Sequence, residues 1–326
     1  MTPATKKIFL TGASGFLGSH FINDSLNRNY KIYALTRKKE NIRLNDGYNH
    51  IEVLEGNINE IEKYQAILSE CNYFIHVAGE KSDESKMEEV NVGYLKKIIS
   101  LLKNFPEIKM IYISSCGVYG IENYPDTILK EDGECFPKNM YEKTKLDAEK
   151  YLISSAKENS IQYIILRPSN VIGENDLSYK LLNLLKSLRK GLFFFIGKNA
   201  IVNYVYVKYV TSVMFHFVDT NRFTNEIYNV NSPMSLDKMI ELLKAELNIK
   251  RKSLRIPYWL LYPIALLFDI FPQRFQVLNT KKYFALTNKK IYSTDKLNSE
   301  CVSIENTSLS MGLKNLVHSY KKENIL

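Results

Sequence analysis

Lys6-Lys7-Ile8-Phe9-Leu10-Thr11-Gly12-Ala13-Ser14-Gly15-Phe16-Leu17-Gly18 is the stretch from which the fold is read. Its first six residues form a short apolar run of strand length, and a helical apolar pattern follows to about residue 27. Between them stands G-x-x-G-x-x-G, a relative of the glycine fingerprint that binds dinucleotides. Small residues let the backbone approach a pyrophosphate, whose charge is met by free N–H groups and the positive end of the following helix. Gly12, Ser14, Gly15, Phe16, Leu17 and Gly18 are therefore expected to hold a dinucleotide. A glycine turn with no ligand is the plain alternative.

Outward from this turn, strands are expected at residues 31–35, 51–54, 73–77 and 110–113, and a helix at 91–103 with apolar spacing at Leu95, Ile98, Ile99 and Leu102. Strands alternating with helices at this rhythm imply a doubly wound parallel sheet that binds its ligands outside the carboxyl ends of the strands. The second strand ends at Thr36-Arg37-Lys38-Lys39, with no Asp or Glu between Tyr30 and Lys39. Basic side chains there suit the extra 2′-phosphate of NADP(H), which is favoured over NAD(H), and a carboxylate would repel it. Gly56-Asn57-Ile58 is placed to reach the adenine, and Ala78-Gly79 is small enough for close approach to the cofactor. His76 reads as a packed core residue. Ser115, delivered by the strand at 110–113, is placed to bind a reacting oxygen.

Tyr141-Glu142-Lys143-Thr144-Lys145 sets a phenol and an ammonium one helical turn apart on one face. An ordinary phenol, with a pKa of about 10, is almost wholly protonated at neutral pH, but a cation a few ångströms away lowers that value. Tyr141 could then give and take a proton at pH 7. Alone the motif is weak, since two solvated helical residues would look the same.

Taken together, these segments resemble the extended short-chain dehydrogenase/reductase superfamily, in its NAD-dependent epimerase/dehydratase branch. The matching pieces are residues 11–18, His76-Val77-Ala78-Gly79, Asn91-Val92, Ser114-Ser115-Cys116-Gly117-Val118-Tyr119-Gly120, the Tyr141 to Lys145 motif and Arg167-Pro168-Ser169-Asn170-Val171-Ile172-Gly173. The resemblance implies a Rossmann-type fold with an NAD(P)-binding domain at 1–168, elements near 201–218 returning to it, and an interleaved substrate lobe at 169–326. It implies that Ser115 orients the substrate oxygen, that Tyr141 exchanges the proton, and that Lys145 holds the nicotinamide ribose and lowers the phenol's pKa. Ala78, Gly79 and Pro168 are implied as cofactor neighbours, and Cys116 and Asn170 as substrate contacts, Asn170 at the nucleotide diphosphate. Three departures stand out: Asn57 where many relatives have Asp, Val207-Lys208-Tyr209 where Val and two aspartates are common, and Val202-Asn203 in place of a diphosphate-gripping Arg-Asp.

The rest of the chain bounds the reading. With 326 residues and 45% hydrophobic content a large core is available. The net charge of +9 is spread along the chain without a basic stripe interleaved with aromatics, so anionic small molecules are expected as partners rather than nucleic acid. Cys71, Cys116, Cys135 and Cys301 lie far apart, which argues against a metal site or disulfide framework and for a cytoplasmic home. In the second half, helices are expected at 178–189, 209–218, 236–247 and 309–320, and strands at 202–207 and 229–231, the last within the smaller lobe. The most apolar run opens at Ile256 and closes at Phe268; it is too short to span a bilayer and Pro263 is expected to interrupt it. A buried helix of the lobe or of a homodimer contact is the first expectation for it. A surface resting on the inner face of a membrane is the second.

The function expected is hydride transfer on a nucleotide-linked sugar, by a 4-epimerase or a 4-keto reductase. A 4,6-dehydratase is disfavoured because Cys116-Gly117 offers no carboxyl group beside the serine. An NADP-dependent reductase of a hydroxysteroid-like or flavonoid-like ketone is the alternative substrate class, and a non-catalytic NAD(P)-sensing scaffold the alternative of another kind.

Overall fold

Ile8 and Leu10 pack on one face of a sheet and Phe9 on the other, all three without solvent exposure, so the first strand is apolar on both faces as a central parallel strand must be. The computed structural model describes residues 5–26, 28–42, 48–120, 127–176, 180–270, 279–301 and 308–326. Its strands are β1 (Lys6–Thr11), β2 (Tyr30–Thr36), β3 (Ile51–Glu55), β4 (Tyr73–His76), β5 (Lys109–Ile113), β6 (Ile128–Leu129), β7 (Tyr163–Pro168), β8 (Asn170–Ile172), β9 (Phe194–Ile196), β10 (Ile201–Tyr206), β11 (Glu226–Val230), β12 (Ser232–Ser235), β13 (Leu254–Ile256) and β14 (Ile291–Tyr292). Seven of them form one parallel sheet in the order β11-β7-β5-β4-β1-β2-β3. The order reverses between β1 and β4, which opens a crevice where the Gly12 turn and the Val77-Ala78-Gly79 segment leave the sheet.

Helices Phe16–Asp24 and Val207–Thr220 cover one face, with Phe21 stacked on Phe215. Tyr94–Leu102 and Met140–Asn159 cover the other. A separate apolar cluster, built on Leu185, Ile240, Leu313 and Leu316, joins helices Lys180–Lys190, Leu236–Glu246 and Leu309–Lys322 around the small sheet β12-β10-β8.

Several elements differ from the sequence expectation. The strand expected at 229–231 in the smaller lobe is β11, which pairs in parallel with β7 at the edge of the main sheet and leaves Asn229 fully buried. Val207 opens a helix instead of closing a strand. The helix expected from Asn91 begins earlier, through Glu84–Met87 and a π-helical stretch Glu88–Gly93, which turns the Asn91 side chain inward. Residues 27, 178 and 179, at the expected ends of two helices, lie outside the described residues.

The apolar run at 256–268 departs most. It forms helix Tyr258–Phe268, which continues through Pro263 at the loss of the hydrogen bond that residue would have given the Trp259 carbonyl. Only Leu261 and Ala265, one turn apart, are buried, so the expected buried helix of the lobe is not found. Trp259 is 65% exposed and Leu267 59%. Among the described residues no helix is long and apolar enough to cross a membrane.

Candidate active site

Gly12 holds φ at +72°, and a Cβ there would stand 2.6 Å from the Ala78 backbone nitrogen. A Cβ on Gly18 would lie 2.1 Å from the Gly12 carbonyl oxygen. The first glycine thus lets the ends of β1 and β4 touch, and the third lets the helix start against the turn. The resulting cradle leads into the N-terminus of helix Phe16–Asp24, which has no side-chain cap and no acidic residue in its first turn. Such an end suits a pyrophosphate. Leu17 contributes backbone only, because its side chain is packed in the core.

At the end of β2, Thr36 donates from Oγ1 to Ser14 Oγ at 3.2 Å, tying the turn to the segment that carries Arg37, Lys38 and Lys39, all exposed. Asn57 lies at the neighbouring strand end, but its Oδ1 accepts from Asn59 N at 3.0 Å and caps a short 3₁₀ helix. The acceptor expected for adenine thus keeps one lone pair, and the exposed amide nitrogen remains a donor. Ile58 is half-buried against the core.

Helix Met140–Asn159 carries the dyad. Asn139 caps it by accepting from Glu142 N at 2.9 Å. The Tyr141 phenol faces Ser115, itself the cap residue of a 3₁₀ turn after β5, closely enough for that hydroxyl to lower its pKa. Lys145, 4% exposed, donates from Nζ to Ile113 O at 2.9 Å and approaches the Tyr112 hydroxyl at 3.4 Å. Its Nζ also lies 3.2 Å from where a Gly79 Cβ would stand. Burial lowers the Lys145 ammonium to about 8.

The phenol corrects an expectation. Burial holds Tyr141 above its ordinary value, the Ser115 hydrogen bond pulls it down, and the charge of Glu142 pushes it up. Lys145 meanwhile gives two of its donors to Ile113 O and the Tyr112 hydroxyl. Helical spacing alone could not reveal which way the ammonium turns.

Cys116 is a second correction. It is 1% exposed, and its thiol donates to Arg167 O at 3.0 Å, so the side chain faces the core and not a substrate. Burial raises it well above the usual thiol range. Pro168 closes β7 at the same sheet edge, and Asn170 donates to Asn203 O at 3.1 Å from an exposed position. His76 is buried on Thr11 Oγ1 at 2.7 Å and its pKa falls to about 3, which keeps it neutral in the core.

Other site residues were not legible as such. Asn91 accepts from Glu80 N, donates to Glu80 O and to Thr144 Oγ1, and so locks the Gly79 segment to the dyad helix. Arg167 grips Glu149 with Nε and Nη2, the latter at 2.6 Å, both residues almost fully buried, and pins that helix to β7. A buried pair of this kind fixes geometry more surely than it adds stability. Glu142, 7% exposed, lies with its Cγ 3.2 Å from where a Gly117 Cβ would stand. The carboxyl group missing from Cys116-Gly117 is thus brought beside Ser115 by the helix. Among the described residues no group of His, Cys, Asp or Glu could hold a metal ion.

The profile of the NAD dependent epimerase/dehydratase family matches residues 8–231, from β1 through the end of β11. The chain belongs to that family. A UDP-glucose 4-epimerase of Vibrio cholerae is 24% identical over 270 residues, covering 78% of this chain and 80% of the relative. A dihydroflavonol 4-reductase of Solanum lycopersicum is 25% identical, over 52% of this chain and 51% of its own. The crystal structure of a UDP-glucose 4-epimerase from Thermotoga maritima with UDP-glucose shares the fold, with a TM-score of 0.72, 22% identity and coverage of 98% of this chain and 99% of that one.

Proposed function

We propose that this family member is a nicotinamide-dependent enzyme that acts on a nucleotide-linked sugar, as a 4-epimerase or a 4-keto reductase. The observation that supports the reading is that Lys145 Nζ reaches both Ile113 O, at the end of β5, and Gly79, beyond the end of β4, on the helix whose Tyr141 faces Ser115. The cradle fits a dinucleotide, since Gly12 and Gly18 leave backbone contacts that any side chain would fill. Gly12 to Gly18 would hold the pyrophosphate, Ala78, Gly79 and Pro168 would border the nicotinamide half, and Arg37, Asn57 and Ile58 the adenosine half. Bound there, the nicotinamide supplies hydride transfer to and from a carbon bearing oxygen.

Ser115 donates to the substrate oxygen and holds it at the phenol. Tyr141, held protonated by burial, gives a proton during reduction and takes the hydroxyl proton during oxidation, the direction that rising pH favours. Lys145 has a third N–H beyond its bonds to Ile113 and Tyr112, and it offers that donor beside Gly79 to the ribose hydroxyls. Asn170, exposed at the head of β8, serves the diphosphate.

NADP(H) is the favoured cofactor because three exposed basic residues, without an acid among them, follow β2. Incubation with UDP-, dTDP- and GDP-sugars, with and without NADPH, tests the reading: NADPH consumption marks a reductase, and isomer formation without net consumption an epimerase. No conversion of any sugar would contradict it. NADPH is expected to bind more tightly than NADH, with the preference flattened by Arg37→Glu; equal affinities in the parent chain would refute that role.

Helix Tyr258–Phe268 favours a reading of where the enzyme works. Its apolar side chains face outward, Lys250, Arg251, Lys252 and Arg255 precede it, and no acidic residue occurs between Leu247 and Phe268. That combination suits the surface of an anionic bilayer, with the protein, as a homodimer, peripheral to it. Flotation with phosphatidylglycerol-containing vesicles is expected to carry the protein upward, and Trp259→Glu to prevent it; a protein that stays down with every vesicle composition would end this reading.

A further inference from the structure

Glu142 is the third residue of its helix, and one of its oxygens has an ordinary role there. Oε2 accepts from Lys138 N at 2.8 Å, a variant of the box that closes helix starts. That contact explains neither the burial nor the second oxygen. Oε1 lies 3.6 Å from the position a Gly117 Cβ would take, and Ser115 Oγ lies 3.2 Å from the same point. A side chain at 117 would crowd Ser115 Oγ and the Glu142 Cγ, each 3.2 Å away, so Gly117 leaves room that the carboxylate borders. Oε1 makes no hydrogen bond with a described residue and is not sealed from solvent, so it is open to a ligand.

The surroundings extend the argument. The charge of Glu142 raises the pKa of both the Tyr141 phenol and Lys290. Lys290 is 1% exposed, donates to Gly120 O at 3.3 Å and lies over the Tyr292 ring. Ser115 and Glu142 therefore border the space that Gly117 leaves at the end of β5, with Tyr141 and Lys290 close enough to feel the carboxylate's charge. A lone ketone on an apolar skeleton satisfies Ser115 and Tyr141 but strands the carboxylate against hydrocarbon. A sugar places further hydroxyl donors next to the reacting carbon.

We infer that Glu142 is a specificity-determining residue whose Oε1 accepts a hydrogen bond from a sugar hydroxyl neighbouring the one that Ser115 and Tyr141 handle. This rests on the nucleotide-sugar reading and narrows it to polyhydroxylated substrates over isolated ketones. Hydrogen bonds to a charged acceptor in such a site discriminate by about 10- to 100-fold.

The test is calorimetric titration of the full-length chain, loaded with NADPH, with UDP, UDP-glucose, UDP-3-deoxyglucose and UDP-6-deoxyglucose. UDP-glucose is expected to bind about 10- to 100-fold more tightly than one of the two deoxy sugars. Glu142→Gln can keep the contact to Lys138 N while turning a donor amide into the gap. It is expected to erase that difference and leave UDP affinity unchanged. Equal binding of all three sugars by the parent chain overturns the inference and needs no variant to fold. A difference that survives Glu142→Gln also overturns it, as does a parallel loss of UDP and sugar affinity, which marks a structural role. Where UDP and UDP-glucose do not bind, the same series is titrated as dTDP and GDP conjugates; binding of none of the three nucleotides or their glucose conjugates would instead remove the nucleotide-sugar reading, and the inference with it.

Discussion

Tyr141→Phe is expected to bind NADPH as tightly as the parent chain while its turnover of a nucleotide sugar falls by about 10²- to 10⁴-fold. The ring is half-buried and phenylalanine preserves its packing, so the change removes the hydroxyl that faces Ser115 and little else. The cofactor cradle at Gly12 and Gly18 lies on a different element and has no contact that the substitution breaks. Fluorescence titration of NADPH and a parallel turnover assay separate the two effects. Unchanged turnover would take Tyr141 out of the mechanism; loss of cofactor binding together with turnover would make its role structural.

Lys145→Met carries the second large effect, in two directions. Turnover is expected to fall by at least about 10²-fold, because the donor beside Gly79 is lost. Thermal stability at pH 7, without added nucleotide, is expected to rise by a few degrees. The lysine is depressed from 10.5 to about 8 in the folded chain, by burial. Below pH 8 the folded protein keeps an ammonium out of water that the unfolded chain keeps solvated, and this costs stability. Between about 8 and 10.5 the unfolded chain binds the extra proton, so the parent gains stability as pH rises and the advantage of methionine shrinks. Melting curves at pH 7 and pH 10 read the sign. A variant less stable than the parent at pH 7 would mean that the bonds to Ile113 and Tyr112 outweigh the burial of the charge.

What was legible in the sequence was local. The glycine turn announces itself because its requirement for small residues falls within seven positions, and β1, β2, β4 and β5 read clearly because strands buried on both faces are short apolar runs. The dyad was legible as a spacing, though the direction of the Lys145 side chain was not. The remainder depends on contacts between distant segments. Cys116 turns inward because Arg167, on another strand, presents a carbonyl to it. Lys290 reaches Gly120 across 170 positions, and Glu142 matters because Gly117 leaves it room. β11 joins the main sheet through its register with β7, which nothing near residue 229 encodes. Helix Tyr258–Phe268 shows the opposite limit: its composition suggests burial, while the fold supplies a partner for one narrow stripe only.

The central claim is that a nicotinamide sits beside an acid/base phenol in the crevice between β1 and β4. A crystal structure of the NADPH complex tests it most directly. Expected are pyrophosphate over the Gly12 to Gly18 turn, ribose on Lys145 and the nicotinamide ring facing the Tyr141 hydroxyl. A dinucleotide seated elsewhere, or a Tyr141 side chain turned away into solvent, would contradict it.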